Sequence, residues 1–89
     1  MIQVGEPISK ELRDVFNRIL TIDDLMDIST EVSVSYSTIR NIYYRTQTIT
    51  EENKEAAYKM MNKAFEKVEN ALVFFYKAKQ HLEEMMPKA

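Results

Sequence analysis

Apolar residues recur at helical spacing almost from the start of the chain. Ile8, Leu12, Val15, Phe16 and Ile19 fall at i, i+4, i+7, i+8 and i+11, which predicts an amphipathic helix over residues 9–20 with Ser9 as its cap. Thr21 caps a second helix. Its first turn holds Asp23 and Asp24, where the helix dipole favours anions, and Leu25, Ile28 and Val32 share one face. Ser35 caps a third helix with Ile39, Ile42 and Tyr43 turned inward, and a last helix runs from Thr48 or Thr50 to about Met86. Neither Gly nor Pro stands between Pro7 and Pro87, so the internal breaks fall at Ser33-Val34-Ser35 and at Thr46-Gln47-Thr48-Ile49-Thr50. The pattern predicts an all-α fold: a leader over 1–8, a unit of about three helices over 9–56, a long helix or bent helix pair over 57–86, and a tail at 87–89.

The break between the second and third helices carries a more specific spacing. A helix-turn-helix needs apolar residues at fixed offsets, so that two short helices pack around a tight turn. With Leu25 as position 1, positions 4, 8, 10, 15 and 18 are Ile28, Val32, Val34, Ile39 and Ile42, all apolar. Position 5, which admits only a small side chain, is Ser29. Position 9, where glycine is usual for its tolerance of positive φ, is Ser33. The run Asp27-Ile28-Ser29-Thr30-Glu31-Val32-Ser33-Val34-Ser35-Tyr36-Ser37-Thr38-Ile39 resembles the D-V-A-x-x-A-G-V-S-x-x-T-V signature of lactose-repressor-type headpieces. In the same register, Ile49-Thr50-Glu51-Glu52-Asn53 resembles the V-S-x-x-T that opens that family's next helix. The similarity covers about residues 21–57 and departs in the Ser for Gly, a longer second helix, and the lack of a following ligand-binding domain. It implies a lambda-repressor-like helix-turn-helix fold over 9–56 and binding of double-stranded DNA, with nothing said for sugar sensing.

Charge sharpens this picture. Residues 1–31 carry three cations and seven acids, residues 32–50 carry Arg40 and Arg45 and no acid, and residues 51–89 balance seven Lys against seven Glu. Only the middle stretch welcomes an anion, and it is rich in Ser, Thr, Tyr, Asn and Gln, which hydrogen-bond phosphates and base edges. With Ser35–Arg45 as recognition helix, its outer face shows Tyr36, Ser37, Arg40, Asn41 and Tyr44. The resemblance implies that Tyr36, Ser37 and Asn41 reach base edges. Asn41 has a donor and an acceptor spaced for adenine. Thr38, Arg40, Arg45, Thr50 and Asn53 are suited to phosphates, with the Ser35 end of the helix. The competing readings are plain: Tyr36 and Tyr44 as half-buried amphipathic residues, Asn41 as merely solvated, Arg40 and Arg45 as partners of Asp23, Asp24 or Asp27. Two nearby cations per copy give weak binding, so the DNA reading requires a dimer on a palindrome.

The last helix offers one. Ala57, Met61, Ala64, Val68, Ala71, Phe75, Ala78, Leu82 and Met85 alternate spacings of four and three, the spacing of a coiled-coil seam. The predicted homodimer interface is Met61, Ala64, Val68, Ala71, Phe75, Ala78 and Leu82. Tyr58, Phe65 and Leu72 widen the stripe where the helix is expected to pack on its own chain, and Leu72-Val73-Phe74-Phe75-Tyr76 is apolar all round. A straight helix over 51–86 is about 54 Å long, against a radius of gyration near 12 Å for a compact chain of this length. Either it projects and pairs with a second copy, the favoured reading, or it bends near Asn70 and folds back into an intramolecular bundle.

Other chemistry is thinly represented. The 89 residues include no Cys, one His and one Gly, which leaves no thiol chemistry, no disulfide scaffold and no Gly-rich phosphate loop. His81 with Glu84 is an i, i+3 pair short of a metal site, and Asp23, Asp24 and Asp27 have the simpler dipole explanation. The expectation is a protein without enzymatic activity, metal or cofactor, cytoplasmic and without a membrane span. The expected function is that of a small sequence-specific DNA-binding transcriptional regulator. The alternative is a protein–protein module, antitoxin- or adaptor-like, on the same fold.

Overall fold

The computed structural model describes residues 2–87, and its described residues form four α-helices and no strand. Lys88 and Ala89 of the expected tail lie outside them. Helix α1 (Lys10–Ile19) begins at Ser9, whose hydroxyl accepts the Leu12 N–H at 3.1 Å, and buries Phe16 completely. Helix α2 (Ile22–Val32) begins with a reciprocal capping box: the Thr21 hydroxyl accepts the Asp24 N–H at 3.2 Å, and the Asp24 carboxylate accepts the Thr21 N–H at 2.8 Å. Helix α3 (Tyr36–Tyr43) begins at Ser35, whose hydroxyl accepts the Thr38 N–H. All three starts coincide with the side chains expected to cap them.

Helix α4 spans Lys54–Met85, 32 residues without interruption. Its opening turn is held from Thr50: the Thr50 hydroxyl accepts the Asn53 N–H at 3.2 Å, the Asn53 amide oxygen accepts the Thr50 N–H at 2.7 Å, and the Lys54 N–H reaches the Thr50 carbonyl at 2.9 Å. The helix passes through Asn70 unbroken, so the fold-back arrangement is not adopted. The chain extends 58 Å along its longest axis, with a radius of gyration of 16.9 Å.

The core gathers Ile8, Phe16, Leu25, Ile39, Ile42, Ile49 and Met60, each sealed from solvent. The leader is part of it. Ile2 is buried, and Gly5 and Glu6 pair with Ile49 through Gly5 N–H to Ile49 O at 2.7 Å and Ile49 N–H to Glu6 O at 2.8 Å. Gly5 adopts φ +94°, which only a residue without Cβ reaches freely.

α4 contributes Ala56, Ala57, Met60 and Ala64 to the core, three small side chains and one large one, where it packs on α1 and α2. This corrects two expectations. Tyr58, Phe65 and Leu72 face solvent at 49%, 66% and 60% exposure, so the helix meets its own chain along the row 56/57/60/64 instead. Ala64, expected at a subunit interface, is 3% exposed inside its own chain's core. Met61 and Val68 are half-buried at the edge of that contact.

Candidate nucleic-acid interface

The three residues between α2 and α3 are tied from both sides. Ser33 adopts the left-handed conformation (φ 54°, ψ 35°) that the missing glycine would supply. The Ser29 hydroxyl, at the position where only a small side chain fits, donates to the Val34 carbonyl at 2.6 Å. Serine therefore fills that position with a hydrogen bond across the turn.

At the far end, α3 terminates in a Schellman arrangement. The Thr46 N–H reaches the Asn41 carbonyl at 2.8 Å and the Arg45 N–H reaches that of Ile42 at 3.0 Å, with Arg45 at φ 65°. The Arg45 Nε then donates to the Ile8 carbonyl at 2.7 Å, clamping the leader to the end of α3. Arg45, expected to meet a phosphate, thus has a structural partner; a bond from a charged donor to a half-buried carbonyl is among the stronger kinds. Tyr43 locks α3 to α1: its hydroxyl donates to the carbonyls of Asn17 and Leu20, and the Asn17 amide donates to the Tyr43 carbonyl at 2.7 Å. Burial, with smaller effects from Tyr44 and Tyr36, raises the Tyr43 pKa and keeps it a neutral donor.

The outer face of α3 carries the remaining candidates. Ser37 and Arg40 are exposed, and among the described residues no carboxylate lies within ion-pairing distance of Arg40. Asn41 is half-buried, its amide nitrogen 3.3 Å from the Gln47 side-chain oxygen. Tyr36 packs partly against the core and Tyr44 is half exposed. The Ser35 hydroxyl also bonds Thr38 Oγ1 at 2.9 Å.

Ser35, Thr38, Thr50 and Asn53 are brought together around one shallow cleft of about 280 Å³, with Gln47 and Glu52 also on its wall. Asn53 is a correction: it is 3% exposed, and its amide is consumed by Thr50 and by the Thr48 carbonyl at 3.2 Å, leaving no group for a phosphate. The Thr50 hydroxyl is likewise engaged as a cap, although the residue is exposed. Glu52 at this cleft opposes an anion.

The acids that threatened to neutralise the arginines are occupied elsewhere or stand apart. Asp24 receives the Lys67 ammonium at 2.6 Å, joining α2 to α4. Burial acts to raise the Asp24 pKa, but the Lys67 and Thr21 hydrogen bonds outweigh it and hold the carboxyl below its ordinary value. Lys67 was invisible to local pattern: 43 positions separate the pair, and the spacing of neither residue marks it.

Among the described residues no group of three or more His, Cys, Asp or Glu is arranged to hold a metal ion, and no helix is long and apolar enough to cross a membrane. No family model, curated protein or solved structure matches the chain.

Proposed function

We propose that the protein is a small sequence-specific DNA-binding regulator of transcription, which lays α3 in the major groove and acts as a homodimer. The observation that carries this reading is the α2–turn–α3 unit. A left-handed Ser33, a cross-turn bond from Ser29 and apolar packing of Ile28, Ile39 and Ile42 hold α3 with Ser37, Arg40 and Asn41 outward and no acid on that helix. Arg40 supplies the phosphate contact, Ser37 and Asn41 the base contacts, and Tyr36 and Tyr44 flank them with half-exposed rings. The Asn41 amide exchanges its 3.3 Å contact with Gln47 for the edge of an adenine. The Ser35 end of α3 lies beside a backbone phosphate.

A second reading has its own observation. Arg45 is drawn into the leader clamp and Glu52 stands at the cleft, so Arg40 is the main cation left on this face. That balance favours a protein partner for the same helix, as in an antitoxin or adaptor.

The deciding experiment is a fluorescence-anisotropy titration against a pool of random-sequence duplexes at 50 and 200 mM salt. Salt-sensitive binding is expected, weakened by Arg40→Ala and made less selective by Asn41→Ala. Absence of binding at 50 mM by a protein shown to be dimeric refutes the DNA reading and favours the protein partner.

A further inference from the structure

Two apolar surfaces lie open on α4, one on each side of its midpoint. The outer surface is the belt Leu72-Val73-Phe74-Phe75-Tyr76, with every side chain between 57% and 72% exposed, followed by Leu82 and Met85 at 60% and 71%. The inner one is a groove of about 220 Å³ between α1 and α4, walled by Leu12, Val15, Met61, Phe65 and Val68 with Ala64 at its floor. Together they exceed what a monomeric surface normally leaves bare, about 300–600 Å² in its largest patch. An aromatic side chain carries about 150–250 Å². The four exposed rings of Phe65, Phe74, Phe75 and Tyr76, with the exposed aliphatic side chains, therefore approach the roughly 800 Å² per partner of a stable interface.

We infer that a second copy of this chain covers both surfaces at once. The two α4 helices run antiparallel, and each copy seats its Phe75 belt in the α1–α4 groove of the other. The occupant follows from geometry. The belt is apolar around the whole circumference, so one partner helix is too little cover; the groove offers two walls, α1 and α4. Belt and groove lie on one helix, so a two-fold axis satisfies both reciprocally.

The axis has one natural place, between residues 69 and 70, where position i faces position 139 − i of the partner. That register sets Phe75 over Ala64 and Val68 over Ala71, a large side chain meeting a small one in each layer. A parallel pair instead stacks Phe75 on Phe75 and Ala71 on Ala71, and leaves both grooves empty. Ala64, closed to a direct helix–helix seam by its own α1, serves as the floor beneath the incoming ring.

This arrangement rests on the homodimer of the proposed function and fixes its geometry without requiring DNA. The chain has no cysteine, so single ones can be introduced cleanly. Nitroxide labels at Glu69→Cys and Glu83→Cys occupy equivalent heptad positions two heptads apart. At 1.5 Å per residue, antiparallel pairing separates the two labels of the dimer along the axis by about 2 Å at position 69 and about 40 Å at position 83. Parallel pairing gives equal distances. Double electron–electron resonance on the full-length dimer reads this directly.

In sedimentation equilibrium, Phe75→Glu on the belt and Val15→Glu on α1 should each weaken dimerisation by about 100-fold. Both positions are exposed in the single chain, so its helical circular dichroism below residue 69 should persist. Unequal label distances with loss of the dimer in Val15→Glu support the inference. Equal distances, or a dimer indifferent to Val15→Glu, overturn it and leave the DNA reading standing. A monomeric wild type overturns both the pairing and the dimer, while DNA binding is scored separately by anisotropy.

Discussion

Replacing Asp24 tests the account of how α4 is anchored. One carboxylate oxygen accepts the Thr21 N–H at 2.8 Å and the Lys67 ammonium at 2.6 Å, with the Asp24 side chain 12% and that of Lys67 33% exposed. Asp24→Ala removes the capping-box bond, about 1 kcal/mol. It also removes an ion pair intermediate between a surface pair of about 0–1 kcal/mol and a buried one whose disruption costs about 3–5 kcal/mol. Discounting for the exposed third of Lys67 gives about 1–2 kcal/mol for that pair, and a total of about 2–3 kcal/mol. For a domain of this size, each kcal/mol moves Tm by about 4–8 °C, so the expected loss is about 10–20 °C. Asp24→Asn retains an acceptor for the Thr21 N–H and should lose only the ion-pair part.

Circular dichroism melts at 222 nm, at fixed protein concentration and pH 7, measure both variants. A double cycle with Lys67→Met should return a coupling of about 1 kcal/mol or more. The folded pKa lies below the unfolded value near 3.9, so the stabilisation is fully present above about pH 4 and is lost as pH falls through the folded value. The gap between wild type and Asp24→Asn should hold from pH 5 to 8 and close in stronger acid. A shift under 2 °C for Asp24→Ala, or a gap that widens in acid, would refute the reasoning.

Other outcomes follow from the same contacts. Arg45→Ala breaks the clamp on the Ile8 carbonyl and should lower stability by about 1.5–3 kcal/mol, whereas Arg40→Ala should leave Tm within about 2 °C and act on DNA binding alone. Chemical denaturation and anisotropy separate the two arginines. Ser33→Gly relieves a left-handed serine and should stabilise by about 0.5–1 kcal/mol in urea titrations; a loss would mean that the serine side chain matters more than the backbone angle. Asn53→Ala empties a buried amide that holds the Thr50 and Thr48 backbone. Its cost should be about 2 kcal/mol, seen as earlier exchange of the amide hydrogens at the start of α4.

The helices were legible because their starts are local. Ser9, Thr21 and Ser35 each sit one residue before a segment of helical apolar spacing begins its first turn, and a short polar side chain there has one obvious use. The end of α3 was less legible: Arg45 takes a left-handed conformation usually marked by glycine, and its partner is 37 positions away. The alanine spacing along α4 was visible, but which side of it faces inward was not. The repeat 57/64/71/78 is shared between the chain's own core, as far as Ala64, and open solvent beyond, a division fixed by where α1 ends rather than by the repeat. Asn53 misled for a related reason, since a polar residue at a helix start serves a cap and a ligand equally well until its neighbours are seen.

The outer half of α4 carries a consequence for dosage. From Glu69 to Met85 the single chain offers this helix almost no tertiary contact, and in proteins most helical stability comes from tertiary packing of an apolar face. Cover from another molecule would therefore supply most of the packing that this half of the helix lacks. Where that cover is a second copy, the number of covered pairs rises with the square of the number of chains while they are scarce, so the covered fraction rises in proportion to that number and then saturates. In that case, raising the concentration of the chain should slow proteolytic cleavage within this end of the helix.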